Sequence, residues 1–308
     1  SRLRQTRQPS CPPCGSDWAR ERTGANVARV LEGKPVARAV EAEAREEIAE
    51  YVTRFGELPA LAAVTGGHDP AAAAYLRSIQ RACGRVGLPI RIVELPADVD
   101  AERFRRLIAG LNADDGVAGI IVLQPLPGEL STHLAAESIA VEKDVDGITP
   151  ASAGRLWLGL ESYVPSTPAG GMAILHHYGI PLEGRHAVVL GRSPVVGRPM
   201  SLLLLAENAT VTICHSRTPD IVRFTRQADI LASATGRPGL VTPDMVKPGA
   251  TVVDFGINEV DDRIVGDVDP RVVLEMHHSP TLETPRGTPA PQLEGTPREP
   301  RPRATCSV

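Results

Sequence analysis

Apolar residues along this chain switch repeatedly between the spacing of a buried strand and the spacing of an amphipathic helix. A first series of such segments fills the N-terminal half, where Asp69 and Pro70 are typical of the cap and first position of a helix. The elements predicted there are a helix at 27–52, a strand at 58–67, a helix from 70 to about 87, a strand at 90–96, a helix at 100–112 and a strand at 118–127. This alternation predicts a parallel sheet with crossover helices.

A second α/β series follows the polar loop EKDVDGITP (142–150). Its predicted elements are a strand at 186–191, a turn and helix at 191–208, and strands at 209–218, 228–236 and 250–258. We therefore predict an α/β protein with domains at 27–145 and 146–276. Segments 1–26 and 277–308 lack periodic apolar positions, so we expect a disordered leader and a disordered tail there.

Composition argues against several classes of function. The formal net charge is −4 and aromatic residues make up 3%, so we expect no nucleic-acid binding. No apolar run approaches the roughly 18 residues of a membrane-spanning helix. The five cysteines are odd in number and scattered, which favours a reducing compartment, and hence the cytoplasm, over a disulfide framework. Because no strand precedes the CPPC motif of Cys11 and Cys14, we expect neither a redox pair nor a metal site there.

The segment VVLGRSPVVGRP (188–199) has the pattern of a dinucleotide-binding turn. Gly191 would allow the tight turn after the strand, and Gly197 would allow the helix to pack closely on that strand. The free N–H groups at the helix N-terminus would then face a pyrophosphate. The pattern is G-x-S-x-x-x-G rather than G-x-G-x-x-G, so an ordinary strand–helix connection remains an alternative.

The end of the next strand distinguishes NADP from NAD. An NAD site places an acidic residue there, on the ribose 2′-hydroxyl, whereas this chain has His215, Ser216 and Arg217. Arg192 in the preceding turn adds a second guanidinium, and two arginines suit a 2′-phosphate. These residues favour NADP, although solvated surface arginines would also fit the pattern.

Eight phrases occur in order over roughly residues 27–275: DPAAAAYLRS, GIIVLQPLP, KDVDG, PSTPAGGMAIL, GRSPVVGRP, ATVTICHSRT, ADILASATGRPGLVTPDMVKPGATVVDFGIN and GDVDP. Together they resemble the bifunctional methylenetetrahydrofolate dehydrogenase/methenyltetrahydrofolate cyclohydrolase family. The resemblance implies an N-terminal α/β catalytic domain and a Rossmann-like NADP-binding domain with a folate cleft between them, usually in a homodimer. It also implies oxidation of 5,10-methylenetetrahydrofolate by NADP+ and hydrolysis of the methenyl product to 10-formyltetrahydrofolate.

The resemblance also implies roles for individual residues. Tyr75 would stack on the aminobenzoyl ring of the folate, and Asp146 would hold the edge of the pterin. The segments that would hold the cofactor are the turn Gly191-Arg192-Ser193, Ser216 and the segment around Ile257. Ser166 replaces the family's usual cysteine in PSTPAGG, a segment whose prolines could equally form a plain turn between the domains.

Three departures from the family pattern bear on catalysis. The lysine of the family's Tyr-x-x-x-Lys is Ile79 here, and the family's Val-Gln-Leu-Pro is Val-Leu-Gln-Pro, which moves the glutamine to Gln124. The family's Pro-Gly-Gly-Val-Gly-Pro loop and closing helix are not found after GDVDP. Isoleucine transfers no proton and glutamine is no base, so we expect an impaired cyclohydrolase step and a dehydrogenase that functions without it.

Several alternatives stay open. The helical stripe of Tyr75, Ile79, Cys83 and Val86 is also what a plain core face would show. The chain could be a non-catalytic relative or partner subunit that keeps the fold and binds folate or dinucleotide. A different α/β oxidoreductase, such as a shikimate-type dehydrogenase, is the third possibility.

Overall fold

A computed structural model of the chain describes residues 29–66, 69–261 and 263–272, and the predicted leader and tail lie outside them. Its first half contains α1 (Gly33–Phe55), β1 (Ala60–Gly66), α2 (Pro70–Val86), β2 (Ile90–Leu95), α3 (Ala101–Ala113), β3 (Val117–Val122) and α4 (Thr132–Ser138). The second half contains α5 (Pro150–Trp157), α6 (Ser166–His177), β4 (His186–Leu190), α7 (Gly197–Ala206), β5 (Thr210–Cys214), α8 (Ile221–Thr225), β6 (Ile230–Ser233), β7 (Thr251–Asp254), β8 (Asn258–Val260) and β9 (Arg263–Val265).

The first sheet has three parallel strands in the order β2-β1-β3. Side chains alternate between its two faces, as the period of two along a strand requires. Val64 and Val122 pack with α3 and α4 on one face, whereas Ala63 and Ile121 pack with α2 on the other. Both faces are therefore covered, which is usual for a parallel sheet.

The second sheet has four parallel strands in the order β5-β4-β6-β7. Residues of α6 and α7 cover one of its faces, including Leu175 and Met200, while Val188 and Leu231 pack on the other. This strand order reverses direction beside β4, and such a switch point is where doubly wound sheets bind dinucleotides. No helix in the described part of the chain is long and apolar enough to cross a bilayer.

The ends of α2 follow from its sequence. The Asp69 carboxylate accepts a hydrogen bond from the Ala72 N–H at 2.7 Å, and Pro70 opens the helix. Gly87 closes it in the left-handed conformation, with its N–H donating to Cys83 O at 2.9 Å. The predicted start and end of this helix are confirmed, and they fix the position of Tyr75 along it.

One predicted strand ends earlier than expected, and one alternative that the sequence left open does not hold. Strand β3 ends at Val122 rather than near residue 127, and the Gln124–Pro125 peptide bond that follows it is cis. The segment that begins at Ser166 is the twelve-residue helix α6 rather than a plain turn. Met172 and Leu175 of this helix are buried against the second sheet, and that burial stabilises it despite two internal glycines.

Candidate active site

Two predicted site residues, Tyr75 and Asp146, lie close together, with Ser166 beside Tyr75. Tyr75 lies on α2 with about half of its surface exposed, Asp146 lies in the loop before α5, and Ser166 opens α6. Partial burial of the phenol and the nearby Asp146 carboxylate raise the pKa of Tyr75, while a hydrogen bond with Ser166 opposes that shift. The structure thus places an aromatic ring, a carboxylate and a hydroxyl at one location.

The Asp146 carboxyl group is easier to protonate than an ordinary aspartate. Its burial, and repulsion from Asp144, raise its pKa from 3.8 to about 6. Asp144 is fully buried, and its two oxygens accept hydrogen bonds from the backbone N–H groups of Ile148 at 3.0 Å and Thr149 at 2.8 Å. Asp144 therefore fixes the turn that presents Asp146, and it also makes that carboxylate easier to protonate.

The loop that carries Asp146 is anchored to the first domain by Lys143. The Lys143 ammonium donates to Leu111 O at 2.9 Å and to Asp114 O at 2.6 Å, at the C-terminal end of α3. A cation at that end of a helix is favoured by the helix dipole. This lysine of KDVDG is therefore occupied in holding the loop, and its position prevents it from replacing a lysine on α2.

Ile79 does not reach the surface of the site. Its side chain is 6% exposed and packs with Cys83, Ile121 and Leu123 beneath the helix. Ile79 is therefore a core residue, which was one of the alternatives, even though Tyr75, one turn earlier on α2, is half exposed. At the position of the family's lysine, this chain has a buried hydrocarbon.

The exchange of leucine and glutamine after β3 has a structural consequence. The Leu123 N–H donates to Val64 O at 2.9 Å, so the sheet hydrogen bonding extends one residue beyond β3. Leu123 lies 3% exposed beside Ile79, whereas Gln124 is exposed where the strand has ended. Leucine thus fills the core position, and it packs against the isoleucine that replaces lysine.

The predicted dinucleotide turn has the expected geometry. Gly191 adopts a φ of 116°, and a Cβ atom there would collide with Ala234 O. A Cβ atom at Gly197 would collide with Gly191 O, so the first turn of α7 packs directly on the strand end. The prediction for Gly191 was a tight turn, and the prediction for Gly197 was close packing of the helix on the strand. The structure has both features.

Ser193 stabilises this turn. Its Oγ accepts hydrogen bonds from the N–H groups of Val196 at 3.1 Å and Gly197 at 3.3 Å, which are among the free donors at the start of α7. A hydroxyl that accepts in this way can still donate its own hydrogen to a phosphate oxygen. The serine of GRSPVVG thus organises the turn and remains able to contact a ligand.

The turn after β5 lies beside the Gly191 turn. Strands β4 and β5 end in register, and the Gly191 N–H donates to Cys214 O at 2.8 Å. The chain then turns tightly, with the His215 N–H donating to Thr218 Oγ1 at 2.9 Å. Ser216 and Arg217 are exposed in this turn, at the place where the ribose of a dinucleotide is recognised.

A cavity of about 670 Å³ borders these two turns. Arg192 and His215 line it together with Arg198 of α7, and apolar side chains including Trp157 line the rest. The sequence reasoning missed Arg198, although a cation in the first turn of a helix opposes the helix dipole and could have drawn attention to it. The cavity lining combines fixed positive charge with apolar surface.

Ile257 is 81% exposed between β7 and β8, at the carboxyl edge of the second sheet. Beneath this edge lies Asp267, a fully buried carboxylate that the sequence reasoning did not single out. Within the described ranges there is no cluster of three or more histidine, cysteine or acidic side chains that could hold a metal ion.

The fold defines a two-domain α/β protein with a Rossmann-like domain of the dinucleotide-binding type. Residues 31–146 match the catalytic domain of the tetrahydrofolate dehydrogenase/cyclohydrolase family, and residues 165–286 match its NAD(P)-binding domain. The chain belongs to this family.

Individual relatives support the assignment. The chain is 50% identical over 250 residues to the bifunctional protein FolD of Chloroflexus aurantiacus, covering 81% of this chain and 88% of that protein. The crystal structure of the bifunctional FolD enzyme from Campylobacter jejuni matches with a TM-score of 0.77 at 40% identity, covering 80% of this chain and 88% of that one. A dehydrogenase-cyclohydrolase of Trypanosoma brucei, solved with NADP and an inhibitor, matches with a TM-score of 0.75 at 36% identity, covering 80% and 87%.

Proposed function

We propose that this chain oxidises 5,10-methylenetetrahydrofolate to 5,10-methenyltetrahydrofolate with NADP+ in folate one-carbon metabolism. The family match over both domains carries the proposal. The test is to mix the purified chain with methylenetetrahydrofolate and NADP+ and to follow NADPH absorbance. If no NADPH forms while both ligands bind, the chain is instead a non-catalytic relative, which is the second candidate.

NADP, when bound, supplies the carbon that accepts the hydride. We assign its recognition to residues 146–276: the Gly191 turn for the pyrophosphate, and Arg192, Ser216 and Arg217 for the 2′-phosphate. Their support is the adjacency of the two turns and the absence of an acidic side chain from the 215–218 turn. A guanidinium pairs well with phosphate, whereas an acidic residue there would repel it.

We assign folate recognition to the domain at 27–145 together with Asp146. Tyr75 offers a half-exposed ring for stacking on the aminobenzoyl group, and the Asp146 carboxylate accepts hydrogen bonds from the donor-rich pterin edge. Ser166, the first residue of α6, lies beside Tyr75, so the second domain also borders this site. These residues orient the substrate, and orientation supplies much of the rate of a hydride transfer.

We further propose that the cyclohydrolase step is impaired. The support is Ile79, a buried hydrocarbon packed against Leu123 where the family has an amine. General acid–base help contributes typically ~10²–10⁴-fold, so its loss would leave hydrolysis near the spontaneous rate. The absorbance of added methenyltetrahydrofolate measures this directly, and clearance far above the buffer blank would contradict the proposal.

A homodimer fits one face of the second domain. Strand β5 forms an edge of the sheet, and Ile213 on it is 42% exposed. Trp157, Leu158 and Leu160 near the end of α5 are 72%, 69% and 51% exposed, and Trp157 and Ile213 line the same cavity. An exposed apolar patch next to an open sheet edge favours association. Light scattering should give twice the mass of one chain. Ile213→Lys should lower the measured mass to that of a single chain, whereas the control Ile264→Lys on the β8–β9 hairpin should leave the dimer intact.

We also propose a cytoplasmic location and no nucleic-acid partner. Cys83 and Cys214 are buried free thiols, which suits a reducing compartment, and the net charge of −4 provides no general attraction for phosphate backbones. Fractionation of cells that express the chain tests the location. A gel-shift titration with duplex DNA and single-stranded RNA at low salt tests the second point, and a shift in either would contradict it.

A further inference from the structure

Asp267 lies at the centre of a hydrogen-bond network under the carboxyl edge of the second sheet. Its side chain is fully buried, and its two oxygens accept hydrogen bonds from both backbone and side-chain donors. Oδ2 accepts from Ser233 Oγ at 3.1 Å, Thr235 N at 2.6 Å, Thr235 Oγ1 at 2.9 Å and Gly236 N at 3.3 Å, and Oδ1 accepts from Arg237 N at 2.9 Å and Asn258 Nδ2 at 3.0 Å. One carboxylate thus joins the loop after β6 to the start of the β8–β9 hairpin.

The backbone of Asp267 is held as firmly as its side chain. Its N–H donates to Asp254 Oδ1 at 3.0 Å, at the end of β7, and its carbonyl accepts from the Val241 N–H at 3.0 Å. The ends of β6 and β7, the connection between them and the start of β8 are therefore all bonded to this residue. A buried network in which every member is satisfied is rigid, because each group has one favourable arrangement.

The network lies on a defined side of the cofactor site. In a doubly wound sheet the dinucleotide spans the switch point, so the strand order here places its adenosine half over β5 and its nicotinamide half over β6 and β7. Residues 234–237 and Ile257 are at the ends of β6 and β7. Ile257 is 81% exposed and is followed directly by Asn258, which donates to Asp267.

The donors around Asp267 require a charged acceptor. Burial alone would raise the pKa of Asp267, but the hydrogen bonds from Thr235, Asn258 and Ser233 outweigh it and hold the pKa below its ordinary value. An asparagine of the same shape would place its NH₂ group against N–H donors in either orientation of the amide. The substitution Asp267→Asn therefore disrupts the network without changing the packed volume.

We propose that Asp267 is a positioning residue for the hydride-transfer step, which holds residues 234–237 and the Ile257 segment in the arrangement that receives the nicotinamide half of NADP. The inference rests on the proposed function of the chain. Asp267 is buried beneath these segments, so it acts through their backbone rather than by touching the cofactor. The adenosine half, over β5, lies outside the network.

The test compares two probes on the full-length chain by calorimetry: NADP+, which spans the whole site, and 2′,5′-ADP, which occupies the adenosine half alone. We expect Asp267→Asn to raise the Kd of NADP+ about 30-fold and to leave that of 2′,5′-ADP within about threefold. Thr235→Val keeps the side-chain volume and removes one donor to Oδ2, so we expect a smaller rise in the Kd of NADP+, about fivefold, with the same contrast between probes.

Thr225→Val is the matched control, because Thr225 is also fully buried in the second domain and its hydroxyl donates to Val222 O of α8, away from Asp267. It should lower the melting temperature as much as Thr235→Val without changing the Kd of either probe. If Asp267→Asn does not fold, Thr235→Val decides alone. Unchanged NADP+ affinity, or equal weakening of both probes, would overturn the inference. A wild-type chain that binds neither probe would instead overturn the proposed function as well.

Discussion

The raised pKa of Asp146 makes a quantitative prediction about pH. If this carboxylate accepts hydrogen bonds from the pterin, folate binds only when the group is ionised. With a pKa of about 6 the ionised fraction falls from about ten-elevenths at pH 7 to about one-eleventh at pH 5, so the Kd for folate should rise about tenfold. A carboxyl at its ordinary 3.8 would stay about nine-tenths ionised at pH 5, and the Kd would hardly change.

The assay is equilibrium binding of 5-formyltetrahydrofolate at intervals from about pH 7.5 to about pH 5, with its absorbance followed to verify that it stays intact. The variant Asp146→Asn should bind weakly at every pH and show no such slope. Asp144→Asn should move the midpoint downward, because repulsion from Asp144 is one cause of the raised pKa. A wild-type Kd that is constant down to pH 5 would refute the reasoning.

The raised pKa of Asp146 also predicts how the stability of the folded chain changes with pH. Because the folded pKa of Asp146 is about 6 and its ordinary value is 3.8, the folded state binds more protons between these values. The contribution of this group to stability is complete below about pH 3.8 and is lost as the pH rises through about 6. The melting temperature of the wild type should therefore fall relative to Asp146→Asn over this window, and a constant difference would contradict the shift.

Three further substitutions test other parts of the site. Arg192→Ala should weaken NADP+ about tenfold or more and leave NAD+ unchanged, with exposed Arg106→Ala of α3 as the control; equal losses for both cofactors would count against a 2′-phosphate contact. Ile79→Lys should lower the melting temperature, because it places an amine in a core, yet raise methenyl hydrolysis above that of Ile79→Met; equal rates would show that an amine at this position is insufficient. Asp69→Ala should lower the free energy of unfolding by about 1 kcal/mol, because it removes the cap of α2, and denaturant unfolding measures this. The same variant should weaken folate binding, because α2 positions Tyr75, and folate titration measures that.

The sequence predicted those features of the fold that depend on neighbouring residues. Asp69 and Gly87 bound α2 because capping and left-handed termination are local. Gly191 and Gly197 marked the dinucleotide turn because a close backbone approach excludes every side chain. The series of strands and helices followed from apolar spacing, and the existence of each predicted element was more reliable than its ends.

Features that depend on distant residues were not predictable in this way. Helix α6 contains Gly170 and Gly171 and is stable because Met172 and Leu175 pack against a sheet that forms later in the chain. Asp267 accepts hydrogen bonds from residues about thirty positions earlier, so a pattern of neighbouring residues does not predict its role.

The two halves of the family's chemistry place different demands on the side chains, and this chain meets them unequally. Hydride transfer requires the cofactor and the folate to be held in place, and we assign that task to Tyr75, Asp146, the Gly191 turn and the exposed arginines beside it. Hydrolysis requires a group that moves a proton at the site, and the position where the family has one is part of the core formed by Ile79 and Leu123. The substitutions at positions 79 and 123 are compatible, because the leucine packs against an isoleucine that is itself buried. Restoring the amine alone therefore breaks a packed pair, so a variant that changes both positions, Ile79→Lys with Leu123→Gln and Gln124→Leu, should recover more hydrolysis than Ile79→Lys alone. If the single and triple variants clear methenyltetrahydrofolate at the same rate, the exchange at 123 and 124 has no part in the slow hydrolysis that we propose.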